Sequence, residues 1–180
     1  MKTKDLTLIA VFTAVMVIFA QISIPIQPVP ITLSIFAVFL STLLLGWRRG
    51  TIVQIIYVLL GICGAPVFQG FTGGAAKVVG PTGGYIMSYI VMALVMGLLV
   101  DKLNIKKPLA LMLVLLAGLA ICYTLGTLWL IMITKMTLAK AVSVAVLPFI
   151  PLDLTKVVAS ALIAYELKAR LVKLNLLPQR

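Results

Sequence analysis

The sequence predicts an all-α integral membrane protein, a compact bundle of six transmembrane helices with both termini in the cytoplasm. Three observations carry that expectation. Hydrophobic residues make up 63% of the 180-residue chain and charged residues 11%, with a mean hydropathy of +1.23. The apolar residues fall into runs near the length of a bilayer crossing, and the basic residues divide unevenly between the two sides that those runs define. An ordinary soluble domain is roughly half apolar and a quarter charged. This chain lacks the polar residues to cover a globule, so lipid must be its outer solvent. At about 20 residues per crossing, residues 1–180 are expected to form a single transmembrane domain with no room for an extramembrane one.

The first run, Leu6 to Ile24, ends at Pro25. No cleavage pattern follows it, so a spanning helix is expected rather than a signal peptide. The second, Ile31 to Leu45, is closed by Gly46 and Trp47. The third, Thr51 to Cys63, is short unless it continues into the glycines beyond. The fourth is Gly83 to Val100, and the fifth, Pro108 to about Thr134, is long enough to tilt. The sixth is broken. A short helical piece from Thr137 to Leu147 meets Pro148 and Pro151, and a final helix runs from Pro151 to about Arg170.

An even number of crossings places both termini on one face. That face collects Lys2, Lys4, Arg48, Arg49, Lys102, Lys106, Lys107, Lys168, Arg170, Lys173 and Arg180, against Lys77, Lys135 and Lys140 on the other. Eleven against three, with Lys156 set aside, makes the first face cytoplasmic by the positive-inside rule. Five or seven crossings would spoil the partition. The formal charge of +11 is thereby explained as topology, and nucleic acid is not an expected partner. Arg48-Arg49 and Lys106-Lys107 suit contact with anionic lipid of the bilayer.

Enzymatic chemistry is not expected. Histidine is absent, no metal-ligand cluster or paired carboxylates occur, and the two cysteines, Cys63 and Cys122, read as packing residues. No catalytic residue, cofactor or metal is assigned.

Three unusual segments all fall on the external side of this topology. Ile24-Pro25-Ile26-Gln27-Pro28-Val29-Pro30 carries three prolines, which remove amide donors and favour extended backbone. It is uncharged and apolar, fitting either a stiff interfacial connector or a lid whose carbonyls and Gln27 face a cavity. The stretch from Gly64 to Gly84 holds seven of the 13 glycines. Non-helical backbone at membrane depth is tolerated only where protein or a cavity satisfies it. Phe68, Phe71 and Tyr85 favour a loop folded inward over a flexible connector. No G-x-x-x-x-G-K-[ST] motif occurs, so no nucleotide-driven motor resides here. The third segment is Pro151-Leu152-Asp153-Leu154-Thr155-Lys156. Pro suits the first helical turn, and Asp153 there is favoured by the helix dipole. Asp153 and Lys156 share one helix face. A charge at mid-bilayer costs about 2.5–3.5 kcal/mol on insertion scales, less near an interface. The pair is either self-neutralising or presented to a polar ligand. A carboxylate that accepts and an ammonium that donates suit an amide- or urea-like group. Ala10 and Ala14 form a small-x-x-x-small pair on the first run, suited to close helix approach.

Taken together, Ile26-Gln27-Pro28-Val29-Pro30-Ile31-Thr32, Gly64-Ala65-Pro66-Val67-Phe68 with Gly73-Gly74, Gly80-Pro81-Thr82-Gly83-Gly84-Tyr85 and Pro148-Phe149-Ile150-Pro151-Leu152-Asp153-Leu154-Thr155-Lys156 resemble the BioY family. These are the biotin-specific substrate-binding (S) subunits of energy-coupling-factor (ECF) transporters. The resemblance spans nearly the whole chain. It implies a six-helix bundle in a prokaryotic cell membrane that holds biotin near the external face. It also implies docking on a transmembrane coupling (T) subunit driven by two cytoplasmic ATPase (A) subunits. On the matching positions, Asp153 and Lys156 would contact the polar head of biotin. Thr72, Gly73, Gly74, Gly83, Gly84 and Tyr85 would line the pocket, Gln27 and Pro28 would close over it, and Ala10 and Ala14 would meet the coupling subunit. Lys77 is the candidate counter-charge for the biotin carboxylate on charge and location. Three other readings remain open: a stand-alone secondary transporter with Asp153 as coupling carboxylate, an S subunit for a different vitamin, and a structural membrane subunit.

Overall fold

The computed structural model describes residues 3–105 and 107–173 of the chain. Of the basic residues counted above, Lys2, Lys106 and Arg180 lie outside the described residues, as does the side chain of Lys173.

The described residues form seven α-helices and one two-stranded ribbon. Helix α1 spans Thr3–Gln21. Strands β1 (Ser23–Ile24) and β2 (Ile31–Thr32) pair antiparallel, with Ser23 opposite Thr32 and Ile24 opposite Ile31. The proline-rich segment therefore closes into a hairpin rather than a polyproline stretch. Helix α2 covers Ser34–Ile62 and takes in both the second and third expected runs. Its regularity breaks at Gly46, whose φ of 78° and ψ of 177° lie in territory that favours glycine. The chain folds back there, and the two arms of α2 touch: a Cβ on Gly50 would fall 2.9 Å from Thr42 Cα. After the glycine-rich loop come the short α3 (Ala75–Val79), α4 (Gly83–Lys102) and α5 (Pro108–Thr134). The last expected run resolves into α6 (Leu138–Ala145) and α7 (Ile150–Lys173), bent by 54° across the break. Pro151 sits in the first turn of α7, where its missing N–H leaves no bond unmade.

The helix tally thus differs from the expected six. The glycine loop contributes a helix of its own, the bent pair counts as two, and α2 counts once although it reverses. Helices α1, α2, α4 and α5 are each long and apolar enough to cross a membrane, and the α6–α7 pair makes a fifth.

Helix α2 is the hub, packed against α1, α4 and α7, while α5 joins α4 to α6 and α7. Phe39, Met16, Met92, Met96, Leu115 and Leu130 are fully buried between them. The outer face is apolar as well: Leu6, Val11, Ile18, Leu109, Leu113, Leu128 and Met132 are exposed. A belt of that kind is stable only against hydrocarbon. Hydroxyls inside the helices bond back to their own backbone, as Thr13 does to the Ile9 carbonyl (2.8 Å) and Thr42 to that of Val38 (2.7 Å).

Polar contacts collect at the two ends of the bundle. At one end, Arg49 Nη2 pairs with Asp5 Oδ1 at 2.7 Å, and the Trp47 N–H donates to Asp101 Oδ2 at 3.2 Å. These tie the start of α1, the α2 reversal and the end of α4. At the opposite end, Trp129 Nε1 on α5 donates to the Gly80 carbonyl at 3.0 Å. The hairpin, the glycine loop and the α6–α7 break gather there.

Candidate functional site

A cleft opens at that second end, between the hairpin, α2, α4 and α7. It has two lobes, with about 320 Å³ and about 390 Å³ of space between atoms, mouths included. Val29, Pro30, Thr32, Tyr85 and Tyr89 line both lobes, so they are parts of one elongated space. The inner lobe is completed by Ile35, Tyr123, Phe149, Asp153 and Lys156. The other is completed by Tyr57, Phe68, Gln69, Lys77 and Thr82, among others.

Asp153 and Lys156 meet as their i, i+3 spacing on α7 requires: Lys156 Nζ lies 2.7 Å from Asp153 Oδ1. Asp153 is fully buried and Lys156 is 7% exposed. Two groups from other elements complete the pair. Tyr123 Oη on α5 donates to Asp153 Oδ2 at 2.7 Å, and Lys156 Nζ donates to the Thr32 carbonyl on β2 at 2.7 Å. An ionised carboxylate offers about four lone-pair sites and an ammonium three N–H donors. Two of the former and two of the latter are engaged. The pair therefore keeps spare acceptor and donor capacity side by side on the wall of a cleft.

The other sequence-expected residues separate into groups. Lys77, on α3, and Tyr85, on α4, line the cleft. The Tyr85 hydroxyl lies 3.2 Å from Thr127 Oγ1 and donates to the Ala145 carbonyl at 3.4 Å, fixing the ring against α5 and the end of α6. Gly83 and Gly84 do not line the cleft. Both are buried at the start of α4, where a Cβ would collide with Val78 from Gly83 and with Trp129 from Gly84. The bareness of Gly83 lets α4 start against α3, and that of Gly84 lets it seat against α5. Thr72, Gly73 and Gly74 lie one layer out. Thr72 Oγ1 donates to the Gln69 carbonyl at 2.9 Å, and a Cβ on Gly73 would strike Ala65. Gly74 donates its N–H to the Gly61 carbonyl at 2.7 Å. They shape the loop that carries Phe68 and Gln69 to the cleft. In the hairpin, Gln27 is exposed and Pro28 half-buried at the tip, while Val29 and Pro30 supply the cleft surface. Ala10 and Ala14 are exposed on the outer side of α1.

Sequence reasoning missed the aromatic walls. Tyr57, Tyr89 and Tyr123 lie on spanning helices, where an aromatic residue in an apolar run reads as core. A phenol at membrane depth that needs a partner for its hydroxyl was the available signal. The Thr32 carbonyl, a backbone group, left no signal at all.

The sequence profile of the BioY family matches residues 1–173. This chain belongs to the BioY family. Among BioY proteins, the "Biotin transporter BioY" of Thermotoga maritima is 46% identical over 166 residues, covering 92% of this chain and 96% of its own length. The "Probable biotin transporter BioY" of Pyrococcus horikoshii is 40% identical over 168 residues, covering 93% and 98%. The structure is also similar to the crystal structure of "the S-component for biotin from an ECF-type ABC transporter". The TM-score is 0.88 at 29% identity, over 94% of this chain and 95% of the other. With four helices long and apolar enough to cross a bilayer and the α6–α7 pair as a fifth, the chain is a multi-pass membrane protein.

Proposed function

We propose that this chain is the biotin-capturing S subunit of an ECF transporter. The observation that carries the reading is the elongated cleft with a buried Asp153–Lys156 pair in one lobe and Lys77 in the other. Biotin has a matching layout, with a ureido ring at one end, a carboxylate at the other and an apolar chain between. The spare acceptor sites of Asp153 take ureido N–H groups, and the remaining donor of Lys156 takes the ureido oxygen. Tyr57, Tyr85 and Tyr89 offer apolar faces to the rings and chain, and Lys77 balances the carboxylate. Thr72, Gly73 and Gly74 support the loop above the site, Gly83 and Gly84 let the α4 that carries Tyr85 seat behind it, and Gln27 and Pro28 form the tip of the cover. Names of relatives as biotin transporters and the likeness to a biotin S-component support the same reading.

Counting the reversing α2 as two crossings and α6–α7 as one gives six, with both termini cytoplasmic and residues 1–180 acting as a single transmembrane unit. The gathering of Arg49, Asp5 and Asp101 at one end and of the cleft with Lys77 at the other supports that count. Energy comes from a partner T subunit and cytoplasmic A subunits, with α1 docking through Ala10 and Ala14, whose exposure supports close helix contact. The chain hydrolyses no ATP and needs no resident cofactor.

A titration of the purified protein with radiolabelled biotin, beside a thiamine control, tests the reading. Saturable one-to-one binding of biotin alone is expected. Absence of biotin binding, or equal binding of thiamine, overturns it.

A further inference from the structure

The last residue of α1 has no part in the function just described. Gln21 is the polar C-terminal end of a helix that is apolar through its middle, and its amide does not point to open solvent. Its Nε2 donates to the Val67 carbonyl at 3.2 Å and to the Phe68 carbonyl at 3.1 Å. Its Oε1 accepts the Phe71 N–H at 2.8 Å. One side chain thus fastens three backbone groups of the glycine-rich loop to α1.

Those three groups flank the residues that matter for the cleft. Phe68 and Gln69 line it, and Phe68 is buried with its ring edge-on to Tyr57 at 5.5 Å between centroids. Phe71 has φ of 55°, a strained region for a residue with a bulky side chain, and its own side chain is exposed, so ring packing does not hold it there. The Gln21 oxygen holds its N–H, beside the backbone pair by which Phe68 and Thr72 close the same turn (2.9 and 3.3 Å). A second, weaker tie runs parallel: Gln69 Nε2 donates to Ser23 Oγ at 3.2 Å.

Directly after Gln21 the chain enters the other cover. Ile22 accepts the Leu33 N–H at 3.0 Å, and β1 and β2 close the hairpin from there. Both covers are therefore anchored by adjacent residues at the C-terminal end of α1.

We propose that Gln21 is a positioning residue that latches the glycine-rich loop to the hairpin side, so that the two covers close over the cleft as one and ligand escapes only when this latch opens. The proposal rests on the cleft being the biotin site. Three bonds to one amide, made without touching the ligand, act on the closed state. Their loss therefore shows in the dissociation rate far more than in association.

The test uses the full chain with Gln21→Leu, which keeps the bulk and removes all three bonds to the loop, together with the 3.4 Å bond from Nε2 to the Val17 carbonyl within α1. Release of radiolabelled biotin is expected to quicken about tenfold or more, with association changed less than about threefold. Hydrogen exchange of the Phe71 amide, measured without ligand, is expected to rise about tenfold or more, while amides in the middle of α4 keep parental protection. A merely structural defect would instead lower the protected fraction everywhere. Should Gln21→Leu fail to fold, Ser23→Ala removes the second tie, and release about threefold faster is expected. Parental release from a folded Gln21→Leu protein, or loosening at Phe71 with unchanged release, overturns the latch. Failure of the parent to bind biotin would instead overturn the reading of the site, and the ligand-free exchange experiment would still judge the tie.

Discussion

The buried pair on α7 makes a prediction that separates folding from binding. Asp153 is fully buried and holds Lys156 at 2.7 Å, with Tyr123 on its other oxygen. Asp153→Asn keeps the shape but removes the negative charge, leaving an ammonium with 7% exposure facing the Thr32 carbonyl and a neutral amide. Breaking a buried pair by removing one partner costs about 3–5 kcal/mol, whereas removing both charges is often neutral. Asp153→Asn alone is therefore expected to lose several kcal/mol of stability, and Lys156→Met alone a similar amount. The double variant is expected to return to within about 1 kcal/mol of the parent. Denaturant unfolding in detergent micelles, followed by the fluorescence of Trp47 and Trp129, measures this. Equilibrium dialysis with biotin measures the other half, and all three variants are expected to bind at least about tenfold more weakly, because charge-assisted contacts are lost. A double variant as unstable as the singles would refute the self-neutralising pair. A double variant with parental affinity would refute its role as the ligand's seat.

Lys77→Ala is expected to weaken biotin about tenfold or more while leaving the binding of biotin methyl ester unchanged, because the ester lacks the charge that Lys77 answers. Equal losses for both ligands would remove the assignment. Tyr123→Phe deletes a hydrogen bond to a charged group and should lower ligand-free stability by about 1.5–3 kcal/mol in the same unfolding assay; an unchanged unfolding curve would show that the Asp153 carboxylate does not depend on it. Gly84→Ala puts a methyl group into Trp129 and is expected to destabilise by about 1–3 kcal/mol through overpacking, with biotin affinity in the folded fraction little altered. A stable variant with lost binding would make Gly84 a ligand contact instead.

Much of this architecture could be read before any coordinates. Hydropathy located the helices, because lipid forces a run of fixed length. Pro148 and Pro151 marked the break before α7, and the three-residue spacing of Asp153 and Lys156 placed them on one face. Glycine announces that something approaches closely without saying what: at Gly83 and Gly84 the neighbour is Val78 or Trp129, and at Gly46, where the second run was expected to close, the backbone reverses between the two arms of α2. Tyrosines on apolar helices look like packing until the fold shows which of them face a void. Gln21 was invisible for a further reason, since its partners are main-chain atoms 46 to 50 residues away.

The pairing of Lys156 with Asp153 has an electrical consequence. Because the two charges cancel within one helical turn, the inner end of the cleft carries no net charge, and a neutral ring can settle there through hydrogen bonds alone. Attraction at that end should be nearly blind to ionic strength. Lys77, half-buried and without a carboxylate among the described residues of the cleft's near lobe, sits where counter-ions can compete, so added salt should slow the arrival of an anionic cargo far more than it loosens the hold on its head.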